Sequence, residues 1–227
     1  MAPTPGKEKL VKRIWHSIAR LLCSGLLCTL YRVRAYGIKH VPRKGPVIIL
    51  CNHQCYLDPM FVQSWVPRNF HFIARQSLWE SKFLGALLNT VYVVPIKQGQ
   101  GDIAAMRTII AKLKAGNAVC LFPEGERTFD GMISDIKPGF GLISRKSNAD
   151  VVPVVLEGAF ECWPRTKKFP KLGKVVVSFG ERITTEEIKR LGDREFAKFL
   201  TLRMREMHNE LRLKTGRAPF DYPGQES

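Results

Sequence analysis

What the chain lacks narrows it first. Nowhere in its 227 residues is there a run of about 18 uncharged apolar residues, the length a membrane-spanning helix needs. Acidic residues are scarce beside basic ones, 20 against 36, leaving a formal net charge of +16. That imbalance points to an anionic partner: nucleic acid, a membrane surface or a phosphorylated substrate. Helix-turn-helix, zinc-finger and aromatic RNA-binding signatures are missing, which argues against nucleic acid. The six cysteines form no paired framework. Cys23, Cys28 and Cys120 sit in apolar runs as small hydrophobes. Cys51, His53 and Cys55 stand one residue apart, where zinc ligands more commonly stand two apart, so no metal is implied. A chain this long, with 45% hydrophobic residues, builds a core without disulfides and suits a reducing compartment.

What is present begins with a basic, apolar N-terminus. Lys7, Lys9, Lys12, Arg13 and Arg20 accompany Ile14, Trp15, Ile18, Leu21, Leu22 and Leu26. The uncharged part runs only from Leu21 to Tyr31 and ends without a small-residue cleavage site, unlike a secretory signal. The pattern predicts a flexible residue 1–9 segment, then an amphipathic helix over 10–34. This helix lies on an anionic membrane surface at its cytoplasmic face, or packs against the domain's own core. Residues 215–227 are expected to form a flexible tail.

Between these ends the chain alternates. Short β-branched runs occur at 46–51, 91–96, 118–122, 151–156 and 174–179, each bounded by Gly, Pro or Asn. Helical patterns fall at 59–65, 79–88, 102–115, 140–147 and 185–190. A last helix runs from Asp193 to Lys214 with Phe196, Phe199, Leu200, Met204, Met207 and Leu211 on one stripe. This predicts one α/β domain over 35–214, a mostly parallel sheet flanked by helices.

In such sheets chemistry gathers in loops beyond the strand C-termini. Two loops there hold unusual residues. After the strand ending at Cys51 comes Asn52-His53-Gln54-Cys55-Tyr56-Leu57-Asp58-Pro59. His53 is placed as a general base, and Asp58, at the start of the next helix, can orient its ring if the loop curls back. The plainer alternative makes Asp58 an N-cap before Pro59 at N1 and His53 an ordinary loop residue. After the strand ending near Phe122 comes Pro123-Glu124-Gly125-Glu126-Arg127-Thr128. There Gly125 permits a tight turn exposing backbone N–H groups, and Arg127 offers a fork for a phosphate.

His53-x-x-x-x-Asp58, followed about 70 residues later by FPEGERT, resembles the glycerolipid acyltransferases, most of all the lysophosphatidic acid acyltransferases. Val152-Pro153-Val154 matches a further block. Pro95-Ile96-Lys97-Gln98-Gly99 departs from another, with Lys97 where the family often has Arg. The resemblance implies transfer of a fatty acyl group from acyl-CoA or acyl-carrier protein to the hydroxyl of a lysophospholipid. The leading acceptor is 1-acylglycerol-3-phosphate. It implies His53 and Asp58 as catalytic residues, and Glu124, Gly125, Arg127 and Lys97, with help from Lys137, as substrate-binding residues. It needs no cofactor beyond the acyl donor. A covalent route through Cys51 or Cys55, another acceptor such as a lyso-ornithine lipid, a hydrolase, and a non-catalytic module binding anionic lipid are the alternatives.

Overall fold

A computed structural model describes residues 18, 21–22, 24–80, 85, 88, 92–96 and 102–222. Seven strands form one sheet: β1 (Arg34–Tyr36), β2 (Val47–Cys51), β3 (Phe70–Arg75), β4 (Tyr92–Ile96), β5 (Ala118–Leu121), β6 (Asp150–Glu157) and β7 (Val176–Phe179). Their order is β1-β7-β6-β2-β5-β3-β4. Every pairing is parallel except β6 with β7. The expected α/β layered domain is therefore present. All five residues of β2 are buried, as a central strand covered on both faces requires.

Alternation along β2 splits the core in two. Val47, Ile49 and Cys51 face a cluster with Phe61, Phe70 and Val154. Ile48 and Leu50 face a second cluster with Leu113, Phe196, Leu200, Met204 and Leu211. Helix α1 (Asp58–Ser64) covers the first face. Helices α2 (Asp102–Lys114), α3 (Phe140–Ser147), α5 (Thr185–Leu191) and α6 (Asp193–Lys214) cover the second. The short α4 (Ala159–Cys162) follows β6. Thr184 caps α5 in a full capping box with Glu187, satisfying donors that a helix start leaves open.

Several expectations shift. Residues 18, 21–22 and 24–30 are helical, but the helix ends at Leu30 and the chain enters β1 by Arg34. The reason is non-local: β1 is held by pairing with β7, with Arg34 opposite Val176. Strand β3 was also absent from the pattern, because His71 and Arg75 interrupt its apolar run. Phe199 is 43% exposed, off the buried stripe of α6, whereas the unpredicted Arg205 and His208 are buried on it. The tail expected to be flexible packs as far as Tyr222, which is 2% exposed. Of the 79–88 helix, residues 79–80 lie in a 3₁₀ turn (Gln76–Glu80), and most of the remainder is outside the described residues. So are residues 1–17 and Lys97.

Candidate active site

Adjacent parallel strands β2 and β5, with Leu50 opposite Leu121, deliver their exit loops side by side. The two loops are then laced together through the backbone of His53. Its N–H donates to Glu124 Oε1 at 2.8 Å. Its C=O accepts from Thr128 N–H at 2.8 Å. The residues flanking His53 are fixed just as firmly. Asn52 exchanges two hydrogen bonds with the backbone of Leu156, and Gln54 Oε1 accepts from the N–H groups of Ala159 and Phe160. Neither amide stood out in the sequence, since their partners lie more than 100 positions away.

Asp58 is fully buried and gathers the loop around one oxygen. Its Oδ2 accepts from His53 Nδ1 at 2.7 Å, from Gln54 N–H and from Cys55 N–H. Its Oδ1 accepts from Cys55 Sγ at 3.2 Å. The loop thus curls back as the pairing required. The capping expectation is corrected by one position: Leu57 is the N-cap and Asp58 opens the helix. Asp58 satisfies donors behind it rather than the N–H groups of its own helix.

With Nδ1 given to a carboxylate, His53 keeps Nε2 as its basic nitrogen. The side chain is 21% exposed and lines a cavity of about 730 Å³. Phe122 stacks on the ring at 4.1 Å between centroids, limiting its rotation. The cavity has two characters. Arg127, Lys137 and Arg165 lie along it with Glu124 and Gly125, and Phe72, Ile73, Leu88, Val93 and Ile109 supply apolar wall. Arg127 lies over the Tyr56 ring, 3.7 Å from its centroid, which orients a planar cation. Arg165, unrecognised in the sequence, donates to Arg127 O and to Glu126 Oε2.

Glu124 lines the cavity and also ties the loops together. Besides His53 N–H, it accepts from Ser134 N–H at 3.1 Å. Burial raises its pKa to about 7, against the opposing pull of those two N–H bonds, with Asp58 and Asp130 adding to the rise. Gly125 sits at φ +80°, a conformation that favours glycine. Its N–H is bonded to Phe122 O, so the expected exposed donor is spent in closing the turn. The N–H groups of His53, Gln54, Cys55 and Thr128 are likewise taken.

Cys51 and Cys55 are fully buried, and burial pushes both thiols well above their ordinary range. A reactive thiol needs the opposite environment. The covalent cysteine route is therefore set aside.

Residues 32–157 match the sequence model of the acyltransferase family. The chain belongs to that family. Among its relatives is a chloroplastic 1-acyl-sn-glycerol-3-phosphate acyltransferase of Arabidopsis thaliana, 28% identical over 67% of this chain and 44% of that protein. Another is the 1-acyl-sn-glycerol-3-phosphate acyltransferase of Bacillus subtilis, 25% identical over 79% of this chain and 89% of its own. The chain thus spans under half of the plant protein and most of the bacterial one. The fold matches the crystal structure of the 1-acyl-sn-glycerophosphate acyltransferase PlsC from Thermotoga maritima. The TM-score is 0.74 at 22% identity, over 90% of this chain and 83% of that one. Of the six candidate residues singled out in the sequence, His53, Asp58, Glu124, Gly125 and Arg127 lie together at the ends of β2 and β5; the sixth, Lys97, is outside the described residues.

Proposed function

We propose that the protein moves a fatty acyl group from the thioester of acyl-CoA or acyl-carrier protein to the free hydroxyl of a lysophospholipid. The acceptor that fits best is 1-acylglycerol-3-phosphate, giving phosphatidic acid. One observation carries this reading: an imidazole oriented by a buried carboxylate opens onto a cavity that is cationic along one part and apolar along another. His53 Nε2 takes the proton of the acceptor hydroxyl as its oxygen attacks the thioester carbonyl. Asp58 holds the ring and stabilises the imidazolium. Collapse of the tetrahedral adduct expels the thiolate, which recovers that proton, leaving an ester and a free thiol. Arg127, aided by Lys137, binds the acceptor phosphate, and the apolar wall takes acyl chain. Glu124 and Gly125 hold the loop in shape, and Lys97 adds charge. No cofactor enters these steps.

The names of the relatives support this acceptor. Among the described residues no helix is long and apolar enough to cross a membrane. Ile18, Leu21, Leu22 and Leu26 are 48–72% exposed, which supports an N-terminal helix lying on the anionic, cytoplasmic face of a membrane. The test is acyl transfer by purified protein across a panel of lysolipid acceptors, each with both donors. Transfer to 1-acylglycerol-3-phosphate, lost in His53→Ala, is the expected result. Undiminished transfer by that variant removes the proposed base, and free fatty acid released without acceptor would make the protein a hydrolase.

A further inference from the structure

The segment after α4, residues 163–174, is unusual in composition. It reads Trp-Pro-Arg-Thr-Lys-Lys-Phe-Pro-Lys-Leu-Gly-Lys, five cations and no acid. Phe169 is 73% exposed and Leu172 66%, between exposed Lys167, Lys168, Lys171 and Lys174. Exposed aromatic and aliphatic side chains interleaved with lysine cost solubility and mark a contact surface. Among the described residues those four lysines make no ion pair.

The segment is not a loose loop. Buried Trp163 donates from Nε1 to Lys167 O at 3.0 Å and packs edge-on to Tyr56. Lys171 N–H bonds to Cys162 O at 2.8 Å. The segment is therefore pinned at Lys167 and Lys171, while the side chains of Phe169 and Leu172 stay exposed.

Topology sets where it points. The segment joins the end of β6 to the start of antiparallel β7, so it sits at the edge where β2, β5 and β6 end and His53 emerges. Strand β1, parallel to β7, begins at that same edge, directly after the helical residues 24–30. Val175 N–H bonds to Tyr31 O, and Arg34 N–H to Val175 O. A cationic recess of about 350 Å³ adjoins it, lined by Arg32, Arg34, Lys174, Lys214 and Arg217 beside Glu157. At the other end of the segment Arg165 lines the active cavity, its guanidinium over the exposed Phe129 ring at 3.8 Å.

We infer that residues 164–174 are a second bilayer-docking element, separate from the N-terminal helix, which inserts Phe169 and Leu172 into the interface of an anionic membrane. Its lysines sit at the headgroups, so the cavity mouth beside Arg165 faces the lipid surface. Apolar burial and headgroup attraction both scale with the residues supplied. The inference rests on the cavity being a lipid site, but its binding test does not require activity.

The test is co-sedimentation of the full chain with vesicles of phosphatidylcholine and phosphatidylglycerol in a ratio of about 7:3, at near-physiological salt. Phe169→Ser/Leu172→Ser is expected to lower the partition coefficient about tenfold, and Lys167→Gln/Lys168→Gln/Lys171→Gln about a hundredfold. Unchanged melting temperatures are the folding control, since all five side chains are exposed. Transfer to a short-chain acceptor below its micellar concentration should be unaffected by the apolar pair, while transfer to vesicle-embedded acceptor falls with binding. Partition equal to that of the parent in the apolar variant overturns the inference. So does unchanged partition with impaired saturation by acyl-carrier protein, which would assign this face to an acidic protein.

Discussion

Among the described residues are two histidine–carboxylate pairs of almost equal length, and their surroundings make them opposites. His53 Nδ1 meets Asp58 at 2.7 Å and His208 Nε2 meets Glu157 at 2.6 Å. His53 is part-exposed, with one ring nitrogen committed and the other available to the cavity. His208 is fully buried with both nitrogens committed: Tyr222 Oη lies 2.8 Å from Nδ1. Tyr222 also accepts from Ile133 N–H, so a tautomer with Nε2 protonated satisfies all three groups. Glu157 is held further by Arg212 and Arg217. A short His–carboxylate contact thus does not by itself single out a base; the accessible second nitrogen over a cavity is what separates His53 from His208.

The sharpest way to break this comparison is to remove each imidazole. His53→Ala is expected to lower acyl transfer about a thousandfold, the scale of a lost general base, with little change in melting temperature. Asp58→Asn should cost activity about a hundredfold and stability as well, because Gln54 N–H and Cys55 N–H also depend on Oδ2. His208→Ala is expected to do the reverse. It strips one partner from a buried ion cluster, costing about 3 kcal/mol in urea unfolding, while kcat per folded molecule stays within about twofold. Loss of kcat at unchanged stability in His208→Ala would end the distinction.

Only one of the pairs was legible in the sequence, and locality explains why. His53 and Asp58 lie five residues apart beside a strand, so a reader sees both at once. His208 and Glu157 are 51 apart, and Tyr222 lies in a stretch that looks like loose tail. Pattern likewise showed β2, β5 and β6, whose apolar runs are continuous, but not β1, three residues long and defined by its partner. What Phe122, Tyr56 and Arg165 touch was hidden for the same reason. Each matters through a ring or backbone group that only the folded chain brings near.

Two buried glutamates, Glu124 and Glu157, extend the contrast to pH. Burial raises Glu124 to about 7, since the two backbone N–H groups it meets oppose that rise only in part. Burial also pushes Glu157 up, but His208, Arg212 and Arg217 outweigh it and hold Glu157 below its ordinary value. For Glu124 the folded state binds its proton more tightly than the unfolded state. Its contribution is therefore complete below the ordinary carboxylate pKa and is lost as pH rises through about 7, a difference of up to about 3 kcal/mol. Unfolding free energy followed from pH 5 to 8 should fall more steeply in the parent than in Glu124→Gln. Parallel curves would mean the carboxyl is ionised throughout. Glu157 acts in the other direction, its contribution disappearing as pH drops through its lowered pKa.

The smallest expected effect tests whether the two regions are independent at all. They meet at neighbouring residues: Ile133 N–H bonds to Tyr222, and Ser134 N–H bonds to Glu124. Tyr222→Phe keeps the ring but removes the hydroxyl, leaving Ile133 N–H and His208 Nδ1 without a partner in a buried place. That should cost about 1–2 kcal/mol. The segment is still tied by Arg205 to Ile133 O and by Thr201 to Ile136 N–H, so Ser134 should keep its place. Transfer rates and their pH profile are then expected to match the parent. A shifted pH profile in Tyr222→Phe would show instead that the buried His208 acts on His53 through this segment, coupling the two pairs into one device.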